Sequence, residues 1–99
     1  MPAYVIAEIE VKDSVTYEEY RQAAGPTLAP YGGRFVVRGG AAERLEGNRD
    51  PQRIVVLEFP TVERAKAWWA SEEYAGPKAI RQRAASSRLI VVAGVDDAS

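Results

Sequence analysis

Over residues 3–11 the side chains alternate, with Val5, Ala7, Ile9 and Val11 on one side of an extended chain and Tyr4, Ile6, Glu8 and Glu10 on the other. That pattern predicts a strand between two different environments. The period then lengthens. Tyr17, Tyr20, Ala24, Leu28 and Tyr31 recur at steps of three and four and draw an apolar stripe down one helix face. Thr16 and Glu19 have the spacing of a capping box at the start of that helix. Gly25 and Pro26 predict a kink or two short segments, because proline removes an amide donor and crowds the preceding turn. Gly32 and Gly33 supply a helix stop.

A second strand is predicted from Arg34 to Arg38, with Phe35 and Val37 on one face and Arg34, Val36 and Arg38 on the other. Gly39 and Gly40 permit a bulge or bend before AERLEG resumes extended structure, and residues 48–51 read as a hairpin tip. The third strand covers 53–59, with Val55, Leu57 and Phe59 opposite Ile54, Val56 and Glu58. Pro60 ends it, and Thr61 is the expected N-cap of a helix carrying Val62, Ala65, Trp68 and Trp69. Residues 71–74 look like a tight turn, Gly76 and Pro77 start a further short helix through Ile80 and Ala84, and the last strand covers 89–95. Residues 96–99 form a polar tail to a single domain over 1–95.

The order strand, helix, strand, strand, helix, strand is the split βαβ arrangement of the ferredoxin-like fold, an α+β class with a four-stranded antiparallel sheet and its helices on one face. If Val5, Ala7, Ile9, Phe35, Val37, Val55, Leu57 and Phe59 lie under the helices, the other face carries Tyr4, Ile6, Val36, Ile54, Val56, Ile90 and Val92. So large an apolar face predicts a second copy packed sheet to sheet, an isologous homodimer.

Composition narrows the chemistry. The 99 residues contain neither cysteine nor histidine, which removes disulfides, thiolate nucleophiles, imidazole bases and the usual zinc and haem ligands. No metal or cofactor is expected. A net charge of −1 gives no general electrostatic grip on nucleic acid or anionic lipid. Nor do the glycines of GGRFVVRGG form a phosphate loop, since a strand separates them. RNA-recognition sheets stack bases on exposed aromatics, whereas the third strand presents Ile54, Val56 and Glu58. No apolar run reaches membrane-spanning length and the amino terminus lacks a secretory pattern, so the expectation is a cytoplasmic protein.

Charged residues stand out against the apolar face. Glu58 and Arg38 are expected to be neighbours on the side away from the helices, where Glu8 and Arg34 also lie. As a catalytic pair, Glu58 would act as general base and Arg38 as an oxyanion clamp. As a structural pair, they would form an interior salt bridge that orders the dimer. Tyr20, Tyr31, Trp68 and Tyr74 are candidate walls of a ligand cavity, or ordinary core. Of the adjacent Trp68 and Trp69, only one can face the sheet. Arg81, after the apolar Ile80, could reach back toward a cavity mouth.

YGGRFVVRGG, then LEG, VLEFP, AWWASEEY and a downstream Arg81 run in an order that resembles the domain-of-unknown-function 1330 family over nearly the whole chain. The resemblance implies a small bacterial protein with a ferredoxin-like, dimeric α/β-barrel fold. Its wider superfamily includes cofactor-free monooxygenases, isomerases, cyclases and stress-response barrels that bind small molecules between sheet and helices. The polar positions matching the family are Arg38, Glu58, Tyr74 and Arg81. The absence of histidine puts haem-linked and histidine-based mechanisms of that superfamily out of reach, while proton transfer by Glu58 survives. The functional expectation is therefore a protein that binds a small anionic or carbonyl-containing metabolite, with cofactor-independent proton-transfer, isomerase or monooxygenase chemistry as the enzymatic form. The alternative is a non-catalytic binding or interaction module.

Overall fold

The computed structural model describes residues 1–95. Strand β1 (Ala3–Val11) leads to helix α1 (Ser14–Ala24), and two 3-10 turns, Gly25–Thr27 and Ala29–Tyr31, carry the chain to β2 (Arg34–Arg38). After β3 (Arg53–Phe59) come α2 (Val62–Trp69), α3 (Glu72–Ala84) and β4 (Ala85–Ala93). The four strands form one antiparallel sheet in the order β2-β3-β1-β4, with Ala7 opposite Val55 on one side and Leu89 on the other. This is the ferredoxin-like architecture.

The alternation in β1 has the expected result. Val5, Ala7 and Ile9 are buried beneath the helices together with Leu57 and Phe59, while Tyr4, Ile6 and Glu8 lie on the open face. Phe59, Trp68 and Tyr74 are the largest fully buried side chains. Trp68 links the other two, with ring centroids 5.5 Å from Phe59 and 4.0 Å from Tyr74. Its Nε1–H donates to Thr27 Oγ1 at 2.9 Å, so the indole is buried without an orphaned donor. Trp69, next along α2, is half exposed and carries the Lys78 ammonium over its ring.

Several boundaries differ from those expected. Asp13, rather than Thr16, caps α1: Oδ1 accepts from the Thr16 N–H at 3.1 Å and Oδ2 from the Thr16 hydroxyl at 2.7 Å. The 71–74 turn is the start of α3, because Ser71 Oγ accepts from the Tyr74 N–H and caps a helix that continues through Pro77. The last strand begins at Ala85 and pairs Ser86 and Ser87 with Glu10 and Ile9. AERLEG forms no strand. It belongs to the long connection 39–52, in which Arg44 pairs with Asp50 at 3.7 Å and Arg49 reaches Glu8 of β1 at 3.5 Å.

The consequential difference lies inside β2. Arg34 and Phe35 sit opposite Glu58 and Leu57, but Val37 then faces Val56 and Arg38 faces Val55. Val36 is thus the extra residue of a β-bulge, two residues of β2 spanning one of β3. A bulge inverts the alternation beyond it. Arg38 therefore joins Phe35 on the helix-covered face, and Val37 turns to the open one.

Candidate functional site

The bulge creates the site. Between sheet and helices lies a cavity of about 40 Å³, floored by Val5, Ala7, Ile9, Val55, Leu57 and Leu89 and roofed by Tyr17, Tyr20, Ala24, Leu28 and Trp68. Phe35 and four arginines complete the lining: Arg21 from α1, Arg38 from β2, Arg53 from β3 and Arg81 from α3. A guanidinium remains protonated at any physiological pH. An apolar slot edged by permanent cations is the result.

Arg21 is paired with Glu18, Nη1 to Oε2 at 3.0 Å, at the surface of α1. The other three arginines meet aromatic rings in place of carboxylates. The Arg38 guanidinium lies 4.2 Å from the centroid of Phe35, that of Arg53 is 5.5 Å from Tyr17 and that of Arg81 is 6.0 Å from Tyr20. None of them has an ion-pair partner among the described residues. Arg81 is the extreme case, with only 4% of its surface exposed. Its Nε donates to Tyr74 Oη at 3.3 Å and its Nη1 to Ser87 Oγ, while Tyr74 Oη is in turn 2.8 Å from Tyr20 Oη. Neutral hydroxyls are thus its hydrogen-bond partners in a medium where an uncompensated charge costs several kcal/mol. Burial, with the neighbouring Tyr74 phenol adding to it, pushes the Tyr20 phenol above the ordinary tyrosine range. Tyr20 therefore keeps its proton, and the lining offers hydrogen-bond donors and positive charge.

Arg53 is placed by glycine. Gly39 has φ of 73°, and a Cβ built there would come 2.3 Å from the Arg53 guanidinium carbon, so the side chain lies flat against a backbone that only glycine allows. The Arg53 Nη2 donates to the Arg38 carbonyl at 3.4 Å, while its Nε has no hydrogen-bond partner among the described residues.

Of the residues singled out from the sequence, Tyr20, Trp68, Arg81 and Arg38 line this cavity, and Tyr74 closes the hydrogen-bond chain behind it. Tyr31 does not join them; its hydroxyl donates to Glu73 Oε2 at 2.6 Å at the protein surface. Nor do Glu58 and Arg38 form the expected pair. Glu58 is on the open face, where Arg34 takes Oε1, with Nη2 at 2.7 Å and Nε at 2.8 Å, and the Tyr4 hydroxyl donates to Oε2 at 3.1 Å. The bulge at Val36 separates the two by the whole sheet. Arg21 and Arg53 were missed, although each carries a signal: Arg53 has the parity of Val55, and Arg21 stands four residues after Tyr17 on the apolar stripe.

The family model for the domain of unknown function DUF1330 matches residues 2–95. The chain belongs to the DUF1330 family. No curated protein matches the sequence. Among solved structures, this DUF1330 protein resembles a protein of unknown function from Rhodopseudomonas palustris, 21% identical with a TM-score of 0.77, the match covering 96% of this chain and 83% of that one. It also resembles SnoaB, a cofactor-independent oxygenase from Streptomyces nogalater, at 12% identity and a TM-score of 0.64 over 96% of this chain and 94% of that one. A dimeric protein of unknown function with a ferredoxin-like fold from Bacteroides fragilis matches at 9% identity and a TM-score of 0.56, covering 92% of this chain and 94% of the other. At such identities the likeness is one of fold. Among the described residues of the DUF1330 chain, no helix is long and apolar enough to cross a membrane. No group of three or more acidic residues among them is placed to hold a metal ion.

Proposed function

We propose that this protein binds a small organic anion in the cavity between sheet and helices, with the negative group seated on Arg81. One observation carries the reading: a guanidinium that is almost wholly buried, bonded to neutral hydroxyls, and set in an apolar slot. Such a charge is costly while the site is empty and is neutralised when a carboxylate or enolate enters, so the protein's own electrostatics favour an anionic occupant. Cofactor-independent chemistry in the same place would draw on the same groups. Arginines aimed into an apolar slot stabilise a developing oxyanion, and the fold is shared with a cofactor-independent oxygenase. The cavity offers cations and phenol hydroxyls for this purpose and no carboxylate, which favours anion stabilisation over proton abstraction by Glu58.

Thermal melting in the presence of carboxylic acids and of their amides tests the reading. Butyrate, hexanoate, succinate and glutarate separate acid from amide without changing the carbon skeleton. Acids should raise the melting temperature where the amides do not, and Arg81→Met should abolish the response. Equal stabilisation by acid and amide, or an undiminished response in Arg81→Met, would overturn it.

The open face supports the second half of the proposal, a homodimer. Val36, Val37, Ile90 and Val92 are substantially exposed there, around Ile6, Ile54 and Val56. Two such faces stacked about a two-fold axis would bury a continuous apolar layer. Ile90→Lys, at a position 44% exposed in the single chain, should leave the fold intact and yield a monomer in analytical ultracentrifugation. A wild-type protein that sediments as a monomer would dispose of the dimer.

A further inference from the structure

The arginines that line the cavity are divided between its two sides. Arg81 hangs from α3 over Ser87 of β4, whereas Arg53 is on β3 and Arg38 on β2. The sheet makes the separation definite, because Ile9 of β1 is paired with Arg53 on one side and with Ser87 on the other. The backbones of Arg53 and of Ser87, which receives the Arg81 guanidinium, are therefore two strand spacings apart, roughly 10 Å. Apolar side chains fill the floor between them, namely Ala7 and Ile9 with Leu89 and Val55 at their flanks.

The charge count points the same way. Glu18 neutralises Arg21, but Arg38, Arg53 and Arg81 have no carboxylate partner among the described residues, and the lining contains no acidic residue. A single carboxylate on Arg81 would leave Arg53 and Arg38 uncompensated on the far side, with the Arg53 Nε still lacking a hydrogen-bond acceptor. An occupant with negative groups at both ends would satisfy both sides at once. Size limits it further. The volume of about 40 Å³ lies in a pocket that is partly open on the side of the exposed Arg38, so a slender chain that extends toward that side suits it better than a ring system.

We infer that the ligand of this site is a short organic dianion, a dicarboxylate with an apolar middle, held by Arg81 at one end and by Arg53 with Arg38 at the other. The inference rests on the anion-binding reading above and narrows it. Arg38, the exposed residue of the lining and stacked on Phe35, would meet the outer carboxylate on the solvent side.

Calorimetric titration of the full chain with matched pairs of equal carbon number tests it: succinate against butyrate, glutarate against valerate, and adipate against hexanoate, at constant ionic strength. At least one diacid should bind about tenfold or more tightly than its monoacid. Arg53→Gln should bring that diacid down to the monoacid level, while Arg88→Gln, on the open face, should leave the difference intact. Should Arg53→Gln fail to fold, the exposed Arg38→Gln offers the same comparison and should shrink the advantage. Monoacids that bind as tightly as diacids would overturn the dianion inference and leave anion binding standing. Binding by neither class would overturn both, and a diacid advantage undiminished in Arg53→Gln and Arg38→Gln would overturn the two-ended geometry.

Discussion

Arg34 holds Glu58 across the β2–β3 ladder, its Nη2 2.7 Å and its Nε 2.8 Å from the same carboxylate oxygen. The pair lies on the sheet face opposite the cavity, with three quarters of the Glu58 side chain covered and most of Arg34 exposed. That position sets the pair apart from the cavity, and a substitution there should register in the proposed association.

Glu58→Gln is expected to leave anion binding in the cavity unchanged. It should cost the monomer roughly 1 kcal/mol or less, as partly exposed ion pairs do, while weakening the proposed dimer. Urea denaturation and sedimentation of the same samples separate the two effects. Anion affinity that fell with Glu58→Gln would return this carboxylate to the site.

Arg81→Met should make the ligand-free protein as stable as the wild type, or more so by about 1–3 kcal/mol, since a buried charge without a counter-ion is exchanged for apolar volume. Its anion response should disappear. A stability loss larger than about 2 kcal/mol would show that the hydrogen bonds to Tyr74 and Ser87 outweigh the desolvation of the cation. Denaturant melts of both proteins without ligand make the comparison.

Gly39→Ala should destabilise the protein by about 1–2 kcal/mol through the left-handed backbone alone. It should also displace the Arg53 guanidinium, against which the new methyl would stand. Anion affinity should fall in parallel, most for ligands that use the outer end of the cavity. Gly40→Ala, where a Cβ would meet nothing within 4 Å, is the matched control and should leave both properties alone.

Alkaline pH should reveal Tyr20. Its phenol is raised above the ordinary value, chiefly by burial, so the folded state holds a proton that the unfolded chain releases near pH 10. The resulting stability is complete below the unfolded pKa and falls as pH rises past it. Between about pH 9 and 11 the wild type should lose stability more steeply than Tyr20→Phe. Denaturation midpoints across that range provide the check, and identical slopes would contradict the assignment.

Most of the fold was legible because two periodicities are strongly written. The two-residue alternation of Val5, Ala7 and Ile9 against Tyr4, Ile6 and Glu8 could describe only a strand with two environments. The Tyr17, Tyr20, Ala24, Leu28 stripe could describe only a packed helix. The start of α3 was obscured because a Ser71 cap bonded to the Tyr74 N–H looks locally like a turn, and Pro77 draws the eye to a later start. Ser86 and Ser87 lack the apolar content of a strand, yet they pair with β1 because Ala85 follows α3 directly in register. Of the residues around the cavity, Tyr20, Trp68, Tyr74 and Arg81 were legible by residue type. Arg53 carries its signal in position alone, since it shares the parity of the inward-facing Val55. The glycines at 39 and 40 pointed to a bulge or bend just after the strand, but its place inside the strand was hidden, since Val36 and Val37 are identical side chains and either could have been the extra one.

That single surplus valine makes β2 serve two compartments. Upstream of it, Arg34 belongs to the surface where chains would meet; downstream, Arg38 belongs to the chamber where a ligand would sit. The strand acts as a switchyard, in which residues a few positions apart answer to different selective demands. Changes to its first half should tune assembly and changes to its second half should tune recognition, so the two properties can be altered one at a time within five consecutive residues.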